Sequence, residues 1–536
     1  MNTRNPLFLF LLNTVVILCL GGESAWSQGA LEPTKPHGTD GKVIAVGLEK
    51  MIHEIAKRNS SAINDYLQTQ ISKERIKGEE GIFEPVAQAS FSRQKNHVPN
   101  STEDIISRGM LRSDYFEDAD EINVGFNGLI PSGANWDLKF MDRQRSSSVI
   151  EDYRNYRYEY SNNIKLSLTQ PILKGFGQDI TKAKIELAKI QKEVDDSKFN
   201  QKMMELVGVT VQYYWKLYGA QKIRQSWENS LGIAESVMKD IALRVREGKI
   251  AKTEWLEAQS SIGIRRSELY NAESKVVEAQ NQLFTLLNVS VSDNKDVRFL
   301  VQDDPLGNYS EILDGGDYIK MALENWPEYK IAKKNVDKEK VQLNYTENQM
   351  LPQLDLIGTV ALNSLDENRR ESLREVVTDK FVSWSVGVKL SRPLLDNARA
   401  RSDRSMARLR TRQAELEIQA LEKGLSNSVY SKVDALKSLQ AQWKEYEKGL
   451  GVRAQLLDIE RIKLKTGRIG LKDLLNQEEE YVGYQRKALN CLVNYKLAEA
   501  MLDIASGSIL KKYNVDEKAI QFTDQVLAGE LEKIFR

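Results

Sequence analysis

Two tracts without proline, residues 172–304 and 394–536, constrain this sequence more than any other feature. Proline is excluded from helix interiors because it lacks the amide donor and clashes with the preceding turn. Each tract therefore has room for helices far longer than those of an ordinary globular domain. Each tract also follows a similar proline-centred segment, at Pro171 and at Pro393, and this recurrence predicts an internal repeat.

Strand-like segments fill the interval between two prolines in each half. The first interval runs from Pro85 to Pro171 and the second from Pro352 to Pro393, so the first is longer by about 45 residues. The surplus holds two apolar runs joined by a Pro-Ser-Gly turn, a pattern that predicts an additional β-hairpin within residues 121–145. This hairpin either forms a ribbon at the outer loops or joins the other strands. The number of strands that each chain gives to its main sheet depends on which of these holds, and it is four or six.

Both proline-free tracts carry the periodicity of amphipathic helices. Through residues 185–223 apolar side chains recur mostly every three or four positions, which favours an α-helix with one buried face. Gly248 and Gly467 then mark chain reversals, because glycine is the usual residue just beyond a helix C-terminus. The sequence thus predicts two long helical hairpins, 180–288 and 397–505. Helices of roughly 100 Å are too long for one globular core and must pack on other long helices in coiled-coil fashion.

The N-terminus has the pattern of an export signal. A basic residue, an apolar run and small residues around Ser27 predict a secretory signal peptide over residues 1–27, followed by a linker over 28–42. The apolar run is too short to be a good membrane-spanning helix. Leu18 occupies the position where a lipoprotein needs a small residue before Cys19, so we expect no lipid anchor.

The composition argues against several functional classes. Lys and Arg together number 76 and are balanced by 76 Asp and Glu, so no broad basic surface favours nucleic acid. A charged fraction of 28% and a mean hydropathy of -0.47 exclude a bundle of apolar membrane helices. The three histidines, His37, His53 and His97, are scattered, and no set of nucleophile, base or metal ligands is visible. We therefore expect no enzyme activity, no cofactor and no metal site.

The strand segments alternate between apolar and polar residues, most clearly at 164–169 and 384–390. Spans of about ten residues with one apolar side suit a barrel that crosses lipid around a wet interior. A half-buried soluble sheet shows the same alternation. The export signal and the internal repeat favour the membrane barrel.

In the order of these features the chain resembles the TolC-like outer-membrane efflux protein family. The resemblance is carried by the paired segments 170–175 and 392–396, and by the paired turns at Gly248 and Gly467 with the returning helices that follow them. It extends over about residues 43–505.

The resemblance implies a mainly α fold with a transmembrane β-barrel, built from two tandem repeats. In the family, three copies each give four strands to a shared twelve-stranded barrel, and their helices form a long periplasmic tube. The first repeat would cover 43–288 and the second 321–505, with equatorial segments at 289–320 and 506–536. Open strand edges are not viable in lipid, so the homotrimer would be obligatory.

The function that the resemblance implies is passive transport. The chain would be the outer-membrane channel of a tripartite efflux or type I secretion system, extending from the bacterial outer membrane into the periplasm. It would work with a periplasmic adaptor and an inner-membrane transporter that supplies the energy. The alternative is a periplasmic adaptor or a coiled-coil scaffold, although an adaptor has one helical hairpin where two are predicted here.

Two groups of residues near the turns are candidate functional sites. By resemblance, Glu254 and Asp473 would form acidic rings that narrow the periplasmic end, with Asn476 at a nearby position where an acid is common. The alternative is that both residues are only first-turn acids, which the helix dipole stabilises. The second group, which would meet the adaptor unless it serves only to cap the helices, consists of Arg244, Gly248, Lys249, Lys463, Gly467 and Arg468.

Overall fold

The computed structural model describes residues 42–108, 112–305, 312–394 and 397–515. The predicted signal peptide, the linker up to residue 41 and the C-terminal residues 516–536 lie outside these ranges.

The described chain consists of helices and two separate sheets. The helices are α1 (Leu48–Arg58), α2 (Ser60–Glu80), α3 (Thr102–Arg108), α4 (Ser148–Tyr153), α5 (Gln178–Thr181), α6 (Ala183–Arg246), α7 (Lys252–Leu286), α8 (Gly315–Asn325), α9 (Pro327–Gln349), α10 (Arg369–Glu375), α11 (Ala398–Lys465), α12 (Leu471–Ala505) and α13 (Ile509–Lys512). The strands are β1 (Lys42–Val46), β2 (Val86–Pro99), β3 (Asp114–Leu129), β4 (Asn135–Ser147), β5 (Glu159–Pro171), β6 (Val297–Val301), β7 (Gln353–Asp366) and β8 (Val382–Ser391).

The long helices that the proline-free tracts predict are present. α6 has 64 residues and α11 has 68, so each is about 100 Å long. α7 and α12, with 35 residues each, return along them and complete two helical hairpins. Within the described ranges, no helix combines the length and the apolar character needed to cross a membrane.

The shorter helices repeat as well. α1 and α2 begin 267 positions before α8 and α9, the same separation as that of Pro85 and Pro352. α9 packs against both α6 and α11, so it joins the two hairpins. Its counterpart α2 packs closely against only α6 among the long helices of the described ranges. One side of α2 therefore lacks the second long helix that α9 has.

The larger sheet has six strands in the order β2-β3-β4-β5-β7-β8, with all neighbours antiparallel. A single chain therefore has six strands in this sheet, two more than the four that the resemblance implies. The additional hairpin is present as β3 and β4, and it lies inside the sheet between β2 and β5 rather than apart from it as a ribbon. The apolar and polar residues of β3 and β4 alternate in register with those of β2 and β5, so the hairpin continues both faces of the sheet.

The six-stranded sheet has one apolar and one polar face. Directly paired residues share a face, and the register places apolar side chains opposite one another across successive strands. One such row consists of Ala89, Val124, Phe140, Ile164, Leu362 and Val382. The opposite face carries mostly polar side chains, among them Asn123, Lys139, Lys165, Thr359 and Ser385.

β1 and β6 form a small parallel sheet. β6, which falls within the predicted equatorial segment 289–320, lies against α6. Asp303, just after β6, accepts a hydrogen bond from the Leu48 backbone N–H at 2.6 Å and another from the Tyr214 hydroxyl. Burial and the neighbouring Asp303 carboxylate raise the pKa of Tyr214. These bonds hold the start of α1, the segment after α7 and the middle of α6 together around one apolar core.

Candidate functional site

The two hairpins reverse through the same backbone motif. Gly248 and Gly467 both have φ of +70°, the left-handed conformation in which glycine is unstrained. The Lys249 N–H donates to the Arg244 carbonyl at 2.9 Å, and the Arg468 N–H donates to the Lys463 carbonyl at 2.9 Å. These are the bonds of a Schellman motif. The local sequence therefore determines both turns by the same mechanism.

Basic side chains surround both turns, and two of them form ion pairs with nearby glutamates. Lys249 pairs with Glu247 at 2.7 Å, and Lys463 pairs with Glu460 at 2.8 Å. Lys249 and Arg468 are exposed, as are both turn glycines. The turns thus present backbone groups and basic side chains to solvent.

The candidate gate residues lie in the first turns of the returning helices. Glu254 is half-buried, whereas Asp473 and Asn476 are exposed on a single copy of the chain. The Gly470 backbone N–H donates to the Asp473 carboxylate at 3.3 Å, so this acid also caps the start of α12. Asn476 lines a groove of about 1040 Å³ between the two hairpins.

Apolar packing brings the starts of α7 and α12 to the same place. Leu475 packs on a cluster built around Ile241 and Ala258, together with Trp255 and Ile250. Glu254 and Asp473 each directly precede or closely flank a member of this cluster. The structure therefore places Glu254 and Asp473 near the turns of the two hairpins, beside a shared apolar contact.

A buried ion pair joins the two hairpins above this contact. Arg265 of α7 and Glu478 of α12 have side chains only 7% and 3% exposed, and the guanidinium Nη2 donates to the Glu478 carboxylate at 3.1 Å. The Arg265 Nε also donates to the Ser230 hydroxyl of α6 at 3.0 Å, and another guanidinium nitrogen donates to Ser261. One guanidinium thus connects α6, α7 and α12.

The sequence prediction missed this pair. Glu478 begins a run of three glutamates, which resembles a solvated helix face. The available signal was the helical phase, because Glu478 lies four residues after Leu474 and four before Val482, and both of these are buried. Arg265 likewise follows the stripe of Ala258 and Ile262. A charged residue at the same phase as buried apolar residues is the pattern to search for.

The buried pair makes stability depend on pH. Burial raises the pKa of the Glu478 carboxyl, although Arg265 opposes the shift. An acid with a higher pKa in the folded state binds its proton more tightly there, so the free energy of unfolding rises as the pH falls from the raised pKa towards the ordinary value. We expect the melting temperature of the wild-type protein, relative to that of Glu478→Gln, to increase as the pH is lowered from the raised pKa to the ordinary one. A difference that stays constant with pH would contradict the shift.

The six-stranded sheet offers a second functional surface. Its apolar face is open to solvent on a single copy, with Trp384 74% and Phe91 66% exposed. Its edge strands β2 and β8 have one neighbour each in the described chain, and every residue of both strands is exposed. An apolar face together with two open edges is unstable in isolation.

These features define a class of protein. Two long helical hairpins extend from a sheet with an apolar face and open edges, and these are the parts expected of an outer-membrane channel subunit. A family model described as outer membrane efflux protein matches residues 138–289 and 318–508. The match covers more than half of the chain and occurs once in each repeat. The chain belongs to the outer membrane efflux protein family.

Solved structures support this fold. The chain is similar to the CmeC outer membrane channel of Campylobacter jejuni, with 13% identity, a TM-score of 0.60 and coverage of 88% of this chain and 90% of that one. It is also similar to the outer membrane protein VceC of Vibrio cholerae, with 12% identity, a TM-score of 0.58 and coverage of 86% and 96%. For the MtrE outer membrane channel of Neisseria gonorrhoeae, in its open state, the identity is 14%, the TM-score 0.55 and the coverage 86% and 88%. No curated protein matches the chain.

Family membership confirms the predicted function and location. The protein is an outer-membrane efflux channel component that extends into the periplasm. The alternative, an adaptor or scaffold, is not favoured, because the family match and the helical hairpin both occur twice. The family is one of transport components rather than of enzymes.

Proposed function

We propose that three copies of the chain assemble into one continuous passive duct, with the strands forming a barrel in the outer membrane and the helices forming a tube in the periplasm. The observation that carries this proposal is the pair of open edges on a sheet with one apolar face. Unpaired backbone groups are not tolerated in lipid, and pairing with another copy satisfies them. Cyclic symmetry closes the barrel and the tube together.

The helices support the same assembly. α11 buries Ala407, Thr411 and Ala414 against its own chain, while Met406, Leu409 and Leu416 are 45%, 70% and 49% exposed. At 100° per residue Leu409 and Leu416 lie on the side of α11 opposite the buried residues, and Met406 lies between the two sides. Within one chain α9 bridges α6 and α11, so the repeat assigns its counterpart α2 to a bridge between α6 and the α11 of the next copy.

Electrophoresis of the protein extracted from membranes in detergent tests the assembly. We expect a trimer that converts to a monomer only on heating, as is typical of a β-barrel oligomer. A monomer that stays soluble after export without detergent would contradict the duct and would favour the adaptor alternative.

We further propose that Glu254 and Asp473, repeated around the trimer axis, form acidic rings at the periplasmic end that favour cations. Asn476, which has no charge, would weaken the ring near it. The Asp473 carboxylate has two possible roles, a charge in the pore and a cap for the Gly470 N–H, and one variant separates them.

Asp473→Asn removes the charge but keeps an oxygen acceptor for the cap. We expect the cation-to-anion permeability ratio in single-channel recordings to fall by about twofold or more, because three charges are lost at a narrow point. Asp458→Ala, which removes an exposed acid of α11, is the control and should leave the ratio unchanged. If Asp473→Asn also leaves it unchanged while Asp473→Ala only destabilises the protein, the acid is a helix cap and the ring assignment is wrong.

The hairpin turns are the proposed docking points for a periplasmic adaptor, which would link the duct to an inner-membrane transporter. The exposed residues that support this are Gly248, Lys249, Gly467 and Arg468, with Arg244 and Lys463 one turn earlier. Cysteines at Lys249 and Arg468 should form crosslinks with the adaptor in cells that pump substrate. Cysteine at Lys444, in the middle of α11, is a matched control that should not. Equal capture from all three positions would contradict docking at the turns.

A further inference from the structure

The β3–β4 hairpin is firmly built into the sheet at the end nearest the long helices. The Ser132 carbonyl in its turn accepts the Gly177 N–H at 3.1 Å and the Gln170 side-chain amide at 3.3 Å. A Cβ on Gly133, whose φ is +94°, would lie 2.3 Å from the Gly175 carbonyl oxygen. The turn therefore packs directly against the segment that leads from β5 into α5.

The hairpin also continues the apolar face without interruption. Phe126 pairs with Ala87 of β2 and with Leu138 of β4, and Leu138 pairs with Leu166 of β5. Leu166 in turn pairs with Val360, which pairs with Trp384 at the far edge. A ribbon lying outside a membrane wall would have no reason to keep this row in register. The hairpin has the side-chain pattern of two further wall strands.

The two open edges match each other in hydrogen-bonding phase. The Asn100 N–H donates to the Ser113 carbonyl at 2.9 Å. Along β2 the even-numbered residues therefore form their backbone hydrogen bonds with β3, whereas the backbone groups of odd-numbered residues, such as Phe91, point away from β3 to the open edge. The Asn363 N–H donates to the Phe381 carbonyl at 3.0 Å. The odd-numbered residues of β8 therefore bond to β7, and the backbone groups of even-numbered residues, such as Val386, point to the open edge.

If the two edges pair with each other, this hydrogen-bonding phase determines which faces of the two sheets become continuous. The outward-bonding residues of both edges carry their side chains on the apolar face. Residues paired across an antiparallel ladder share a face, so joining the edges extends the apolar face across the seam. β2 and β8 also run in opposite directions, because five antiparallel steps separate them.

We propose that β8 of one copy pairs antiparallel with β2 of the next, so that six strands from each of three copies close an eighteen-stranded wall instead of a twelve-stranded one. This inference rests on the trimeric duct proposed above. Barrel diameter grows roughly in proportion to strand number, so the wall would be about 1.5 times as wide as that of twelve strands. The helical tube, which still has four long helices per copy, would then be the narrower part of the duct.

One competing arrangement leaves β2 and β3 outside the wall, so that β8 pairs with β4 of the next copy and the wall has twelve strands. A second leaves the β3–β4 hairpin outside and pairs β2 with β5, so that twelve strands close through the same β2–β8 seam. Disulfide formation between copies distinguishes the two seams, because opposed residues of an antiparallel pair bring their Cβ atoms to about 4.5–5.5 Å. Val386→Cys supplies one partner for both seams.

The experiment combines Val386→Cys with one cysteine at each odd-numbered position of β2 from Ala87 to His97, in membranes treated with a mild oxidant. We expect at least one combination to link the three copies covalently. The second set pairs Val386→Cys with even-numbered positions of β4 from Trp136 to Gln144, and no product is expected. Ser385→Cys, which points to the polar face, is the matched control and should link poorly to the same β2 positions.

A second disulfide, between Ala89→Cys and Val124→Cys of one chain, tests whether β2 pairs with β3 in the membrane, and we expect it to form. A β2–β8 product without this disulfide would overturn the eighteen-stranded wall, because the β3–β4 hairpin would then lie outside it. Products with β4 in place of β2 would overturn the eighteen-stranded wall but leave the trimeric duct standing. A stable trimer without products from either set would overturn the β2–β8 seam in the same way. A protein that is monomeric in the membrane would overturn the duct itself, and the wide wall with it.

Discussion

Replacing Glu478 by alanine is expected to lower the free energy of unfolding by about 3–5 kcal/mol, because a buried guanidinium loses its counter-charge. The Arg265 side chain is only 7% exposed, so it cannot recover its hydration without opening the contact between α7 and α12. Ser230 and Ser261 remain as hydrogen-bond acceptors, but neither carries a negative charge. Thermal unfolding followed by circular dichroism in detergent should show a clear fall in melting temperature.

The control removes both charges. Arg265→Leu combined with Glu478→Leu replaces the pair with apolar side chains, which is often neutral or stabilising for buried ion pairs. We expect the double variant to melt close to the wild-type protein and well above Glu478→Ala. If Glu478→Ala melts like the wild-type protein, Arg265 is solvated in the assembly and the pair does not join the hairpins.

The features that could be predicted from the sequence are those with a local physical cause. The absence of proline and the spacing of apolar residues predicted α6 and α11, and two glycines predicted turns that both adopt φ of +70°. The additional hairpin was predicted from its turn and its alternation. Each of these signals is contained within a few residues or one helix.

The place of the hairpin in the sheet could not be predicted in the same way. Alternation of apolar and polar residues indicates that a strand has two different faces, but it does not indicate which strands are neighbours. The order became apparent only when paired rows such as Phe126 with Leu138 could be followed from strand to strand. The resemblance to a family with four strands per copy gave no indication of where the additional hairpin joins the sheet.

The helix contact between copies gives the other large expected effect. Leu67 and Ile71 of α2 are 50% and 60% exposed, on the side of the helix that faces away from α6. Their counterparts 267 positions later are Lys334 and Lys338 of α9, and these reach α6 through Glu193 at 2.6 Å and Gln191 at 3.2 Å. The repeat therefore places Leu67 and Ile71 on the α11 of the next copy, where an apolar stripe is exposed.

We expect Leu67→Asp combined with Ile71→Asp to abolish the trimer, so that the detergent-extracted protein elutes as a monomer. Each apolar side chain contributes about 1.5–3 kcal/mol when fully buried, and an unpaired carboxylate in its place adds a desolvation penalty. The loss occurs at each of the three interfaces at once.

The matched control, Leu67→Met with Ile71→Val, keeps the surface apolar and should retain the trimer. Helix content by circular dichroism should be the same in both variants, because α2 packs on α6 through its opposite side, where Ala62, Thr69 and Ser72 are buried. A trimer that survives the aspartates would show that α2 does not bridge to the next copy. The two repeats would then differ in how their short helices pack, and the strand seam alone would have to hold the copies together.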